Sequence, residues 1–228
     1  ELERRELRLA AIAEAKAMPN HCSSNPPITD ITSKPSWNGW GNGVSNARFQ
    51  SAKAAGITPE QVPQLKLKWA FGFPGADEVY GQPTVAGGRV FVGTDTGAVY
   101  SLNADTGCIY WSFQADGGVR NAISIGPVKG HGATKFGAFF GDVRSFAYML
   151  DAATGKIRYG VTATEFPELY FNYEGPIAAF YPFDINPKTG DVYVSGRTAV
   201  VAVDPEGKAK WFYDRLDDAL TLKRESEI

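Results

Sequence analysis

Ala104-Asp105-Thr106-Gly107-Cys108-Ile109-Tyr110-Trp111 recurs in looser form twice downstream, and that repetition decides the fold. The second copy is Asp151-Ala152-Ala153-Thr154-Gly155-Lys156-Ile157-Arg158-Tyr159 and the third is Asp204-Pro205-Glu206-Gly207-Lys208-Ala209-Lys210-Trp211. Upstream, Leu65-Lys66-Leu67-Lys68-Trp69 has the ending of the unit without its turn. Each full copy follows an apolar run, at 99–102, 147–150 and 199–203. The unit therefore reads as strand, Asp-to-Gly turn, strand. In such a turn the Asp side chain accepts backbone N–H groups about two residues on, and Gly supplies the positive φ of the reversal. The aromatic four residues past the Gly falls on the outer strand, where its flat ring covers the next repeat. Gly107, Gly155 and Gly207 recur about every fifty residues, a period that signals propeller blades or a related array, none of which buries its apolar face alone.

Composition agrees with a β-rich globular chain. Of 228 residues, 43% are hydrophobic and 21% charged, and the 25 glycines and 14 prolines suit dense turns. A net charge of −2 gives no basic field, which disfavours nucleic acid and anionic membrane as partners. No apolar run approaches the ~20 residues of a membrane span. The N-terminus is charged from Glu1 to Arg8, with no signal peptide visible. Cys22 and Cys108 are compatible with one disulfide or with two free buried thiols.

Four segments are expected along the chain. Residues 1–18 form an N-terminal helix, rich in Ala, Leu, Glu and Arg and ended by Pro19. Residues 19–36, with four prolines, are a linker, residues 37–214 carry the blades, and 215–228 are a tail holding a short helix or an unmated strand at 217–224. Trp37-Asn38-Gly39-Trp40-Gly41-Asn42-Gly43 is expected to fill gaps between blades; its glycines follow no strand and precede no helix or Lys, which argues against a phosphate loop. Thr58-Pro59-Glu60-Gln61 opens a helical turn. Strands are expected at 65–73, 82–86, 89–93, 98–103 and 108–114, then 122–128, 137–142, 145–150 and 156–162, then 177–184, 191–195, 199–203 and 208–213. That makes three four-stranded blades and one spare strand, against the roughly four to eight blades of closed propellers. The expectation is a piece of a larger propeller, with self-closure or completion by partners as alternatives.

The repeat resembles the tryptophan-docking motif of quinoprotein β-propellers, with Cys108 where the motif has Lys. Trp37-Asn38-Gly39-Trp40-Gly41, Asn46-Ala47-Arg48-Phe49-Gln50, residues 65–74 and Gly118-Val119-Arg120-Asn121-Ala122-Ile123-Ser124-Ile125-Gly126 are similar to the polyvinyl-alcohol-dehydrogenase-like branch, closely from Trp37 to Tyr159 and thinly beyond. The resemblance implies an all-β propeller that binds pyrroloquinoline quinone (PQQ) and Ca²⁺. It implies oxidation of a small or polymeric alcohol by hydride transfer to PQQ while a carboxylate takes the hydroxyl proton, a cytochrome c electron acceptor, and a periplasmic or secreted location. The helix at 1–18 is similar to the last helix of a cytochrome c module, although no Cys-x-x-Cys-His is present.

A tri-carboxylate cofactor asks for cations, hydroxyls and amides around its rim. Arg120, between one blade's outer strand and the next blade's inner strand, is the first candidate for a cofactor carboxylate, against a role tying two loops together. Asn121 and Ser124 follow it, and Gln82 holds the equivalent junction one blade earlier. Asp142 and Arg144 sit on a hairpin facing the axis, with structure favoured over function. No catalytic base is assignable among Asp95, Asp116, Asp142 and Asp184, and no Ca²⁺ loop is visible. His21-Cys22 lacks a second ligand pair for a metal. His21 and His131 lie beside no nucleophile elbow, which excludes hydrolase chemistry of that kind. Tyr159 in place of Trp and the run Tyr170-Phe171-Asn172-Tyr173 mark where the pattern departs. A non-catalytic propeller scaffold, like an outer-membrane assembly factor, is the alternative function.

Overall fold

A computed structural model of the chain describes residues 2–32, 35–42, 45–128, 132–144, 146–162, 184–186, 188–195, 199–214 and 222–223. His131, the run 170–173, most of the expected strand at 177–184 and most of the tail lie outside these residues. Helix α1 spans Leu2–Ala17, α2 spans Ala52–Ala55, and a 3-10 turn covers Pro59–Gln64. Three antiparallel sheets follow. The first contains β1 Thr84–Ala86, β2 Arg89–Gly93, β3 Ala98–Asn103 and β4 Ile109–Gln114, in that order. The second contains β5 Ser124–Pro127, β6 Phe136–Gly141, β7 Phe146–Asp151 and β8 Ile157–Thr162, again in order. The third runs β9 Asp184–Ile185, β10 Val192–Ser195, β11 Ala199–Val203, β12 Ala209–Asp214 and β13 Leu222–Lys223. The expected blades are thus present, and the tail strand finds a mate, because Leu222 and Lys223 pair with Tyr213 and Phe212.

Stacking explains why the central strands are apolar on both faces. Phe91, Val99 and Trp111 of the first sheet meet Ile125, Ala138, Phe140, Tyr148 and Leu150 of the second in one core. On its other side the first sheet buries Val92, Tyr100, Leu102 and Ile109 beneath Trp69, Phe71, Phe73 and Ala15. Phe139 and Met149 carry the stack on to Val192 of the third sheet. A strand with a neighbour on either face must exclude water from both, and five of the six residues of β3 are buried.

The turns work as anticipated, with one shift of register. Asp151 Oδ1 accepts Ala153 N (3.0 Å) and Thr154 N (2.9 Å), and Asp204 Oδ1 accepts Glu206 N (3.0 Å). In the first copy the same position is Asn103, not Asp105: Asn103 Oδ1 accepts Asp105 N (2.7 Å) and Thr106 N (3.0 Å). Asp105 instead pairs with Lys68 (2.8 Å) on the surface. An Asn carbonyl accepts amide hydrogens as an Asp carboxylate does, so the geometry survives the change.

Two tryptophans clasp these turns. Trp111 Nε1 donates to Ala152 O (3.0 Å), and its ring lies so close to Gly155, which has φ +70°, that a Cβ there would stand 2.6 Å from it. Trp69 repeats the arrangement, donating to Ala104 O (3.1 Å) with its ring against Gly107. The expected strand at 65–73 is nevertheless not a ladder strand. It lies with Leu65 and Leu67 exposed, since a strand without a partner edge has nowhere to place its backbone hydrogen bonds. Trp211 is half-buried beside Tyr193, its ring 5.9 Å away.

The N-terminal segment is fastened along the outer edge of the first sheet. Ile109 N donates to Asn20 O and Cys22 N to Ile109 O (both 2.9 Å), a short parallel bridge locked by a disulfide between Cys22 and Cys108. His21 Nε2 reaches back to Ala15 O (3.2 Å), so that its ring ties α1 down. Buried Arg89 binds the linker to two sheets at once: it donates to Ala153 O (3.1 Å), Asn25 Oδ1 (2.8 Å) and Pro26 O, and its guanidinium lies 4.0 Å from the Tyr110 ring centroid.

Burial alone would raise the Asp151 carboxyl, but hydrogen bonds from Thr134 Oγ1 (2.6 Å), the Thr154 amide and Arg158 outweigh it and hold Asp151 below the usual carboxylate range. A depressed folded pKa stabilises the fold above the unfolded value of about 3.9 and loses that contribution as pH falls through the folded one. Thr134→Val is expected to reduce the dependence of Tm on pH below about pH 4, as read by thermal melts in steps of pH. An unchanged profile would remove Asp151 from the acid response.

Candidate functional site

Antiparallel order places the start of β1, the β2–β3 hairpin, the end of β4, the start of β5 and the β6–β7 hairpin on one side of the stack. The junction from β4 to β5 threads between the two hairpins there. Val119 N donates to Thr94 O (2.8 Å), Val143 N to Gly118 O (2.9 Å), and Gly118 backs directly onto the Asp95 carbonyl. Gln82, Asp95, Asp116, Arg120, Asn121, Ser124, Asp142 and Arg144 belong to this side, whereas His21 lies beside Ile109 at the start of β4.

Arg120 is exposed and stands over the Tyr80 ring, 4.9 Å from its centroid; among the described residues it pairs with no carboxylate. Asn121 is buried at 1% exposure, and its carbonyl lies where a Cβ on Gly81 would meet it at 2.6 Å. Ser124, the first residue of β5, is buried with its Oγ beside Gly39. Gln82 is half-buried, and its amide, oriented to suit both neighbours, donates to Trp40 O (3.1 Å) and accepts from Trp37 Nε1. The structure thus brings Gln82 and Ser124 to the segment 37–41, sets Asn121 against Gly81, and leaves Arg120 and Tyr80 exposed.

The aspartates separate clearly. Asp142 Oδ2 accepts from Tyr148 Oη (2.8 Å) and Gly117 N (2.9 Å), and Oδ1 from Arg144 N (2.8 Å) and Phe146 N (3.0 Å), so it is a turn residue, as favoured. Burial pushes the Tyr148 phenol well above its ordinary pKa; the Asp116 amide that donates to it works the other way, and the Asp142 carboxylate raises it again. Tyr148 therefore serves as a fixed neutral donor. Asp116 is occupied by Arg8. Asp95 is different: its Oδ1 is buried and has no hydrogen-bond partner. Asp184 is described only through its backbone pairing with Tyr193. Among the described residues no group of three or more His, Cys, Asp or Glu is arranged to hold a metal ion.

An anionic, planar cofactor fits part of this set. Arg120 supplies an exposed positive charge and an aromatic neighbour, whereas the glycines at 41 and 81 are filled from within, by Asn46 and by the Asn121 backbone. Gln82 is engaged within the protein, which leaves its amide less to offer. Sequence reasoning took the segment 37–41 for gap filler and overlooked Asn38. Its position directly before Gly39, a pairing typical of turns that return polar groups to neighbouring backbone, was the available signal.

Comparison with known proteins follows the same lines. A family model described as outer membrane protein assembly factor BamB matches residues 65–227. A protein named polyvinylalcohol dehydrogenase from Pseudomonas sp. is 37% identical over 201 residues, covering 83% of this chain and 30% of that protein. Another of that name from Sphingopyxis sp. (strain 113P3) is 40% identical over 148 residues, covering 65% of this chain and 22% of that protein. The chain thus spans about a third or less of the length of these relatives. Among solved structures, quinohemoprotein alcohol dehydrogenase from Comamonas testosteroni has the same fold, with TM-score 0.61 at 19% identity over 97% of this chain and 33% of that one.

Proposed function

The chain belongs to the PQQ-repeat family of β-propellers, polyvinyl-alcohol-dehydrogenase-like in sequence, and from that premise we propose that it is the part of a PQQ-dependent alcohol dehydrogenase that helps to hold the quinone. The observation that carries this reading is the exposed Arg120 side chain over the Tyr80 ring in the junction from β4 to β5, with the buried Asn121 and Ser124 following it in that junction and Gln82 in the segment that enters β1. PQQ, when bound, supplies the hydride-accepting centre. Arg120 would hold one of its carboxylates and Ser124 would offer a hydroxyl. Ca²⁺ beside the quinone, a small or polymeric alcohol as substrate and a cytochrome c as electron acceptor belong to the same reading. So does a periplasmic or secreted location, which the Cys22–Cys108 disulfide supports because such bonds persist in oxidising compartments. We further propose the division into helix 1–18, linker 19–36, blades 37–214 and tail 215–228.

The test is titration of the purified chain with PQQ and Ca²⁺, followed by dye reduction on an alcohol. Arg120→Ala is expected to weaken PQQ binding at least about tenfold, as the loss of a charge-assisted hydrogen bond of about 1.5 to 3 kcal/mol implies. A variant that binds like the parent would remove Arg120 from the site. One observation favours a second reading: the family model that matches 65–227 is named for an assembly factor. A parent chain that takes up no PQQ at micromolar concentration would favour that scaffold role.

A further inference from the structure

β1 and β5 are the inner edge strands of neighbouring sheets, and an inner edge carries backbone groups with no strand beside them. Residues 37–40 answer both edges at once. Trp37 N donates to Val85 O and Val85 N to Trp37 O (both 2.8 Å), one antiparallel bridge on β1. The next residue turns to the other sheet: Asn38 Oδ1 accepts Ile125 N (2.8 Å) and Asn38 Nδ2 donates to Ile125 O (2.6 Å). The carboxamide thus imitates a peptide group and pairs with β5 as a strand residue would. Gly39, at φ +70°, then donates its N–H to Thr84 Oγ1 (3.1 Å) and lies against Ser124 Oγ, while Trp40 O receives the Gln82 amide. Within four residues the segment contacts Gln82 and Ser124, two of the four rim residues, and pairs with Val85 of β1 and Ile125 of β5.

We propose that residues 37–40 form a strap that fixes the spacing of β1 and β5, and that Asn38 is a positioning residue for the rim of Gln82, Arg120, Asn121 and Ser124. The positioning role rests on the dehydrogenase reading above; the strap itself does not. Without Asn38 the Ile125 N–H and C=O have no partner at the inner edge, the gap between the sheets is set by side-chain packing alone, and Ser124, one residue before Ile125, shifts relative to Gln82.

Two measurements on the 228-residue chain decide it, using Asn38→Ala, Arg120→Ala and the double variant. In the first, without cofactor, hydrogen exchange at the Ile125 amide is expected to rise about tenfold or more in Asn38→Ala while β3 and β7 keep their protection. Unchanged exchange at Ile125 overturns the strap. In the second, with PQQ as the probe and at a temperature where circular dichroism is unaltered, Asn38→Ala is expected to weaken binding about tenfold. Arg120→Ala is then expected to cost less than about threefold in the Asn38→Ala background, because a displaced rim no longer presents the guanidinium; residues that act independently would instead give additive losses. Additive losses, or parent-like binding by Asn38→Ala, overturn positioning and leave the dehydrogenase reading intact. No uptake of PQQ by the parent overturns both, and exchange at Ile125 still judges the strap.

Discussion

Trp111→Ala is expected to destabilise the chain by about 3 to 5 kcal/mol, the range for removing a large buried aromatic, and to lower Tm by on the order of 10 °C. Three contributions act together at this residue. The ring is 6% exposed, it packs 6.0 Å from the Phe91 ring within the core shared by the first two sheets, and its Nε1 holds Ala152 O. Gly155→Ala probes the same contact from the other side: it combines a left-handed φ with a Cβ 2.6 Å from the ring, so displacement of Trp111 is the only relief. Trp111→Phe keeps much of the area and loses the hydrogen bond, and should cost less than half as much. Thermal melts of the three variants decide the matter, and a Trp111→Ala protein melting within about 2 °C of the parent would show that the sheets are not joined through this ring.

Loss of the Cys22–Cys108 bond is expected to cost a similar amount. The two residues are 86 apart in sequence, and closing a loop of that size removes about 4 to 5 kcal/mol worth of denatured-state freedom in the chain-entropy account. Cys22→Ser with Cys108→Lys is the informative double variant, because Lys156 and Lys208 already stand at the matching position of the other repeats and show that the turn accepts Lys. Urea titration should move the midpoint down by about 1 M or more in this variant, and by the same amount in the parent under reductant. Equal midpoints with and without reductant would mean that the N-terminal segment is held by its hydrogen bonds alone.

Much of this architecture was legible in the sequence because the turn, the glycine and the following aromatic each have a local physical cause. The three sheets, their order and the covering of one repeat by the aromatic of another all follow from that unit. What was not legible depends on atoms distant in sequence. Asn103 and Asp105 are both competent turn acceptors, and only the backbone path selects Asn103. The segment 65–73 has the composition of a strand, yet a ladder is a property of two segments, and no neighbouring edge is present for it among the described residues. Cys108 departed visibly from the repeat, but its pairing across the linker is a tertiary fact. At the site, Arg120 was readable as a cation at a junction. The engagement of Gln82 by Trp40, and the double hydrogen bond of Asn38 to Ile125, were hidden because they depend on how two sheets approach each other.

The clasp between Trp111 and Gly155 also bears on how such a chain lengthens. The two clasps among the described residues, Trp69 on Gly107 and Trp111 on Gly155, are each encoded half in one repeat and half in the next, with the ring contributed early and its glycine seat later. Tandem duplication of any one full period, wherever its breakpoints fall, therefore copies one ring and one seat together and leaves no clasp unmatched. Deletion of half a period strands one of them, so growth and loss at the gene level are expected to proceed in whole periods.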